Sequence, residues 1–197
     1  MPVPDDYQSS SSTHDADDER HGRMLLERMV AGDGEAVEAF LDLYEASVCR
    51  YICHIVPGIS DDDLSDIVQE TFIAALRSAH AYRGEARLAT WLLRIAHHKV
   101  SDWLRRRRVQ RWLSLSLLGE EPAETFLQET PSEDDVWLVR LALGKLPRDQ
   151  RQAVVLRYVM GLSVDEVAAT MRIARRKVEW LITQGRAALR ALLGGEK

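Results

Sequence analysis

Apolar residues recur at helical spacing through most of this chain, and no segment sustains the alternation of a half-buried strand. Leu25, Leu26, Met29 and Val30 open the pattern and Gly32 stops it. Asp33 is placed to cap a second helix, whose apolar face is Val37, Phe40, Leu41 and Tyr44. That face continues through Val48, Tyr51, Ile52 and Ile55 until Pro57-Gly58 ends it. Asp61, Asp62 or Asp63 starts a third helix carrying Leu64, Ile67, Val68, Thr71, Phe72, Ala75 and Leu76. After a turn at Tyr82-Arg83-Gly84, a fourth carries Leu88, Trp91, Leu92, Ile95 and Ala96. It continues through Val100, Trp103 and Leu104 into an arginine run.

The pattern breaks between residues 113 and 135, where Gly119, Pro122 and Pro131 punctuate an acidic stretch of linker composition. It resumes at Val136, Leu138, Val139, Leu141 and Leu143. Pro147 is then placed as the first residue of a helix running Gln150 to Val159, and Gly161 ends it. Ser163 with Glu166 three residues on is a capping-box sequence, opening a helix from Val164 to Met171. A break at Arg172-Ile173-Ala174 leads to a last helix, Arg175 to Leu193, with Val178, Ile182, Leu189 and Leu192 inward. Two helices joined by a short break, the second basic, form a helix-turn-helix outline. The expected fold is all-α: two small helical domains, 23–112 and 136–197, joined by a flexible acidic linker, 113–135. Residues 1–22 are acidic and Ser-rich and read as a disordered tail.

Charge is segregated. The net charge of −5 hides two basic segments. Lys99, Arg105, Arg106, Arg107, Arg108 and Arg111 lie together against Asp102 alone, and Arg172, Arg175, Arg176, Lys177, Arg186 and Arg190 against Glu179 alone. The acid collects in the tail and in the central stretch from Glu120 to Asp135. Two basic patches separated by an acidic tether point to nucleic acid. Trp91 and Trp103 beside the first patch suit unstacked DNA, although core packing is the better reading of Trp91. Arg175, Arg176 and Lys177 near the start of the last helix suit phosphates or base edges in a major groove.

Other classes find little support. No phosphate loop, nucleophile elbow or paired-carboxylate signature marks an enzyme, and no cofactor is implied. Cys49 and Cys53 share a helix face with His54 nearby, but lack a convincing fourth zinc ligand, so no metal is expected. Two cysteines make no disulfide framework, which suits reducing cytosol. No uncharged stretch is long enough to insert into a membrane.

These residues resemble a known family. Asp66-Ile67-Val68-Gln69-Glu70-Thr71-Phe72 looks like the D-x-x-Q-E-x-F helix of the sigma-70 family, in particular its small extracytoplasmic-function (ECF) members. Tyr82-Arg83-Gly84-Glu85, Thr90-Trp91-Leu92 and Ile95-Ala96 resemble the next segment, and Asp102 with Arg105 to Arg108 its basic end. Leu146-Pro147, Gln150-Arg151, Val155-Leu156-Arg157-Tyr158 and Gly161 to Ala168 resemble the family's −35 module, closed by Arg186-Ala187-Ala188-Leu189-Arg190. The likeness covers about residues 24–112 and 136–193.

The resemblance implies a cytoplasmic, non-enzymatic sigma factor that directs RNA polymerase core to promoters. The first domain, 23–112, would be the family's region 2 and the second, 136–197, its region 4. Region 2 would hold the polymerase clamp through Asp66, Gln69 and Glu70, which share one stripe of their helix. Arg83, Thr90, Trp91, Arg94, His98 and Arg105, Arg106, Arg107 and Arg108 would face −10 DNA. In region 4, Arg175, Arg176, Lys177, Glu179, Trp180 and Arg186 would face −35 DNA. Implied partners are the polymerase core (clamp and flap), promoter DNA and an anti-sigma factor.

The sequence departs from the family in two places. His98 stands where the family usually has Asn. Arg172-Ile173-Ala174 replaces Gly-Val-Ser, and so lacks both a residue suited to a left-handed turn and a hydroxyl cap. Glu179, Trp180 and Leu181 then occupy positions that in relatives often face DNA. Either the −35 sequence is altered, or this face partly serves a protein. The alternatives are an autonomous helix-turn-helix regulator and a sigma-like protein whose last helix binds a protein partner.

Overall fold

The computed structural model describes residues 12–118 and 135–193. Helices there are α1 (Ser12–Val30), α2 (Gly34–Ile55), α3 (Asp61–Ser78), α4 (Leu88–Leu118), α5 (Asp135–Gly144), α6 (Arg148–Val154), α7 (Val164–Met171) and α8 (Arg175–Leu193). A 3-10 turn, Ala79–Ala81, follows α3, and Val155–Val159 continue α6 with π-helical geometry. Among the described residues no strand occurs, and no helix is long and apolar enough to cross a membrane.

Local chemistry explains most boundaries. Gly32 turns the chain at φ 90°, and the Asp33 carboxylate accepts from the Glu35 and Ala36 N–H groups at 3.0 and 3.3 Å to start α2. Ser60 caps α3, so Asp61, Asp62 and Asp63 fill its first turn, where the helix dipole favours them. The capping box at α7 is complete: Ser163 Oγ accepts from Glu166 N at 3.2 Å, and Glu166 Oε2 from Ser163 N at 2.8 Å.

Two expected boundaries move. Helix α1 begins at Ser12, within the expected tail. The apolar face of Leu25, Leu26 and Met29 holds it in place, and Arg20–Asp17 and Arg23–Glu19 pairs support the polar turns before that face. Helix α4 runs to Leu118, past the expected domain end at 112 and into the expected linker. Residues 1–11 of the tail and 119–134 of the linker lie outside the described residues.

The first four helices bury Phe40, Val48, Tyr51, Ile52, Ile55, Leu88, Leu92 and Val100. The last four bury Leu143, Val155, Leu156, Val167, Val178 and Leu181. In α8, Leu181 is 3 % exposed while Leu192, expected inward, is 42 % exposed, because the helix runs beyond its support near its end. Gly185 lets α8 cross close to α6: a Cβ there would stand 2.6 Å from Val154 Cγ2.

These two cores are continuous. α2 meets α5, α6 and the π-helical turn, and α4 meets α7. Arg151 of α6 donates to the Ile55 carbonyl at 2.8 Å, and to those of Gly144 and Leu146 at 2.9 and 3.1 Å. One guanidinium thereby satisfies carbonyls at or just beyond helix ends on both sides of the junction.

Candidate nucleic-acid interface

The first half of α4 is mostly core. Trp91 is 7 % exposed and packs on Tyr82, ring centroids 5.3 Å apart, so it is a packing residue. Thr90 is 6 % exposed, and its hydroxyl donates to Glu166 Oε1 of α7 at 2.7 Å. In this arrangement the Thr90 hydroxyl is covered by α7 rather than open to DNA. Burial opposes ionisation of Glu166, yet the Ser163 N–H, the Thr90 hydroxyl and Arg87 together hold its pKa below the ordinary carboxylate value.

Arg94 and His98 are half-buried on the same helix, and Arg83 is exposed in the preceding loop. Burial lowers the His98 pKa, and the positive charge of Arg172, from the α7–α8 turn, adds to the effect. Its Nε2 is buried with no hydrogen-bond partner among the described residues. Next to it, His97 hydrogen-bonds Tyr51 Oη through Nδ1 at 2.8 Å. Burial pushes the His97 pKa down to about 4, so it packs as a neutral core residue.

The basic half of α4 is exposed but paired. Arg105 bonds Asp102 at 2.9 Å and Arg106 reaches Glu70 at 3.5 Å. Arg107 bonds Asp63 at 2.9 Å and lies over the Trp103 ring, 4.8 Å from its centroid. Arg108 is exposed. Trp103 donates its indole N–H to Asp63 at 3.2 Å. Of the α3 stripe, Asp66 and Gln69 are exposed, whereas Glu70 is half-buried and also accepts from Lys99 at 3.3 Å.

On α8 the geometry is different. Arg175 is gripped by both Asp165 oxygens, at 2.6 and 2.7 Å, and by Glu179 at 3.0 Å. Glu179 therefore neutralises a neighbour instead of standing as an unpaired carboxylate. Arg176 is exposed, and Lys177 sits over the Trp180 ring, 4.2 Å from the centroid. Trp180 is 49 % exposed, and Arg186 lies 5.6 Å from the Tyr158 ring centroid. Leu181 belongs to the core, which removes it from the face expected to meet DNA.

The missing left-handed residue is also accounted for. Arg172 itself adopts φ 55°, ψ 44° at the α7–α8 break, a conformation costing a non-glycine residue roughly 1–2 kcal/mol. Glu166 and Asp165 were not legible as contacts to Thr90 and Arg175. The capping box revealed the helix start, but nothing local assigned the spare oxygen of Glu166. Cys49 and Cys53 are half-buried and joined in no disulfide, and no group of three possible metal ligands occurs among the described residues.

Comparison with known proteins adds the identity of this architecture. The family model for Sigma-70 region 2 matches residues 37–110, and that for Sigma-70 region 4 matches 137–189. RNA polymerase sigma factor CnrH of Cupriavidus metallidurans is 33% identical over 150 residues, 71% of this chain and 78% of that protein. The ECF RNA polymerase sigma-E factor of Escherichia coli K12 is 32% identical over 161 residues, covering 76% and 82%. SigX, an ECF RNA polymerase sigma factor of Bacillus subtilis, is 28% identical over 162 residues, covering 79% and 82%. Among solved structures, CnrH in complex with the cytosolic domain of CnrY superposes with a TM-score of 0.65 at 27% identity. That match covers 90% of this chain and 99% of CnrH. Two region models in order, and relatives matched over most of their length, place the chain in the ECF sigma factors of the sigma-70 family.

Proposed function

We propose that this ECF sigma factor is a non-catalytic, cytoplasmic subunit that brings core RNA polymerase to promoters by dividing recognition between α4 and α8. The exposed part of the α3 stripe, Asp66 and Gln69 with Glu70 at its margin, meets the clamp, and α8 with its neighbours meets the flap and −35 DNA. Arg83, Arg94, His98 and the arginines from Arg105 to Arg108 face the −10 strand. Thr90 joins them once α7 withdraws from α4. An anti-sigma factor holds the free chain, a reading supported by the solved pairing of CnrH with a cytosolic domain of CnrY.

The observation that carries this reading is α8: a capped helix-turn-helix presents Arg176 and Lys177 to solvent on the same chain as a second basic helix. Run-off transcription with core polymerase, on the promoter upstream of the chain's own operon, tests it. Initiation is expected only with both components, and Arg176→Glu or Lys177→Glu should each lower the salt slope of binding by about one. Initiation-independent duplex binding by the free chain would favour an autonomous regulator. Full promoter activity after both reversals would assign the Lys177–Trp180 face to a protein partner.

A further inference from the structure

The residue at the cap position of α4 is Arg87, whose carbonyl accepts the first helical N–H, from Trp91, at 2.9 Å. Arginine carries no side-chain acceptor, and the preceding Arg83-Gly84-Glu85-Ala86 offers no Ser, Thr, Asp or Asn whose side chain could cap in its place. A helix start without a cap leaves backbone N–H groups unsatisfied. Here the missing acceptor arrives from the other end of the domain. Both carboxylate oxygens of Glu19, on α1, stand 2.9 Å from the Leu88 N–H.

Glu19 is well suited to hold that position. Its side chain is only 16% exposed, and it also accepts from Arg23 Nε at 2.9 Å. A carboxylate at a helix N-terminus is favoured by the dipole as well as by the hydrogen bond. The surrounding loop is tied to the same point. Tyr82 Oη stands 3.5 Å from Glu19 and donates to the Ala86 carbonyl at 2.7 Å, while its ring packs on Trp91. Arg83 follows Tyr82 directly, and Thr90 lies in the helical turn that Glu19 caps. Thus one carboxylate connects α1, the loop before α4 and the first turn of α4.

We infer that Glu19 is a positioning residue for −10 recognition: by capping α4 from α1 it sets the orientation of the loop and helix turn that carry Arg83 and Thr90. The inference rests on the proposed −10 role of those residues. It also gives α1 a task, although Glu19 precedes the region 2 match, which begins at residue 37.

The test uses the full chain bound to core RNA polymerase. Two labelled single strands serve as probes: the non-template −10 stretch of the promoter upstream of the chain's own operon, and a scrambled strand of equal composition. The readout is the ratio of the two affinities, which a change in the folded fraction does not move. Glu19→Ala should lower that ratio about tenfold, the factor expected for losing one well-formed hydrogen bond to a charged group. Glu19→Asp, which keeps the charge but shortens the reach, should lower it also and covers the case in which the alanine variant misfolds. Glu19→Gln, which keeps an acceptor, should retain most of it. Asp17→Asn removes an equal charge from the exposed face of α1 and should leave it unchanged. Core association should stay within about twofold throughout, since the α3 stripe is untouched.

An unchanged ratio in Glu19→Ala or Glu19→Asp beside a discriminating wild type overturns the inference alone. So does an equal fall in Asp17→Asn. A wild-type holoenzyme that binds both strands alike overturns the −10 reading itself, and this inference with it.

Discussion

Thr90 on α4 is 6 % exposed and bonded to Glu166, whereas Arg176 and Lys177 on α8 lie open to solvent. The two surfaces proposed for DNA are therefore stored differently in the same molecule. On α8, the proposed binding would exchange neighbours: Arg175 would leave Asp165 and Glu179 for phosphates, and Lys177 the Trp180 ring, with little rearrangement of the core. On the first half of α4, access to Thr90 requires α7 to withdraw and the shared core to part. Exposed ion pairs exchange at a cost of about 1 kcal/mol or less, but a buried interface opens as a unit. The surface proposed for −35 DNA is thus exposed in the free chain, while the one proposed for −10 DNA depends on a change in how the modules meet.

Acidification should sharpen that contrast most. His97, at the centre of the buried half of α4, has its pKa pushed down from 6.5 to about 4 by burial. The unfolded chain takes up a proton there below pH 6.5, whereas the folded chain stays neutral until about pH 4. The contribution is fully present above 6.5 and lost as pH falls through that window, roughly 3 kcal/mol in all. Urea midpoints at pH 7 and pH 4.5 should diverge more for wild type than for His97→Gln; an equal divergence would mean His97 is not held neutral.

A smaller effect tests the cover itself. Glu166→Ala removes the carboxylate that both caps α7 and accepts from Thr90, at a cost of about 2 kcal/mol. Amide hydrogen exchange should accelerate across α7 and across the α4 turn holding Thr90, and leave α3 unchanged. If only α7 responds, the Thr90 contact does not hold the modules together.

The smallest change should be stabilising. Arg172→Gly relieves the left-handed strain at the α7–α8 turn and should raise stability by about 1 kcal/mol, read as a higher urea midpoint. It also removes the positive charge beside His98, so the His98 pKa should rise, by proton-monitored NMR. A loss of stability would mean that the Arg172 side chain contributes more than its backbone costs.

How much was legible beforehand differs by residue. The capping box at Ser163 and Glu166, the cap at Asp33 and the exposure of Arg176 follow from neighbours within a turn, so spacing revealed them. The burial of Leu181 and exposure of Leu192 depend on where α6 and α5 press against α8, which periodicity on one helix does not specify. Trp91 read more readily as core than as a stacking platform, and in the fold it is 7 % exposed and packs against Tyr82.

The amino-acid sequence by itself determined the helices, most of their starts and stops, and the separation of basic from acidic segments, because these arise from interactions a few residues apart. The start of α1 at Ser12 and the end of α4 at Leu118 were not among them. Only the tertiary structure decided that Glu19 caps α4 from 69 residues away, that Glu166 covers Thr90, and that Asp63 and Glu70 pair with the arginine run. Those contacts join segments remote in the chain. A carboxylate's spare oxygen goes to whichever donor packing brings near, and no local pattern records that choice.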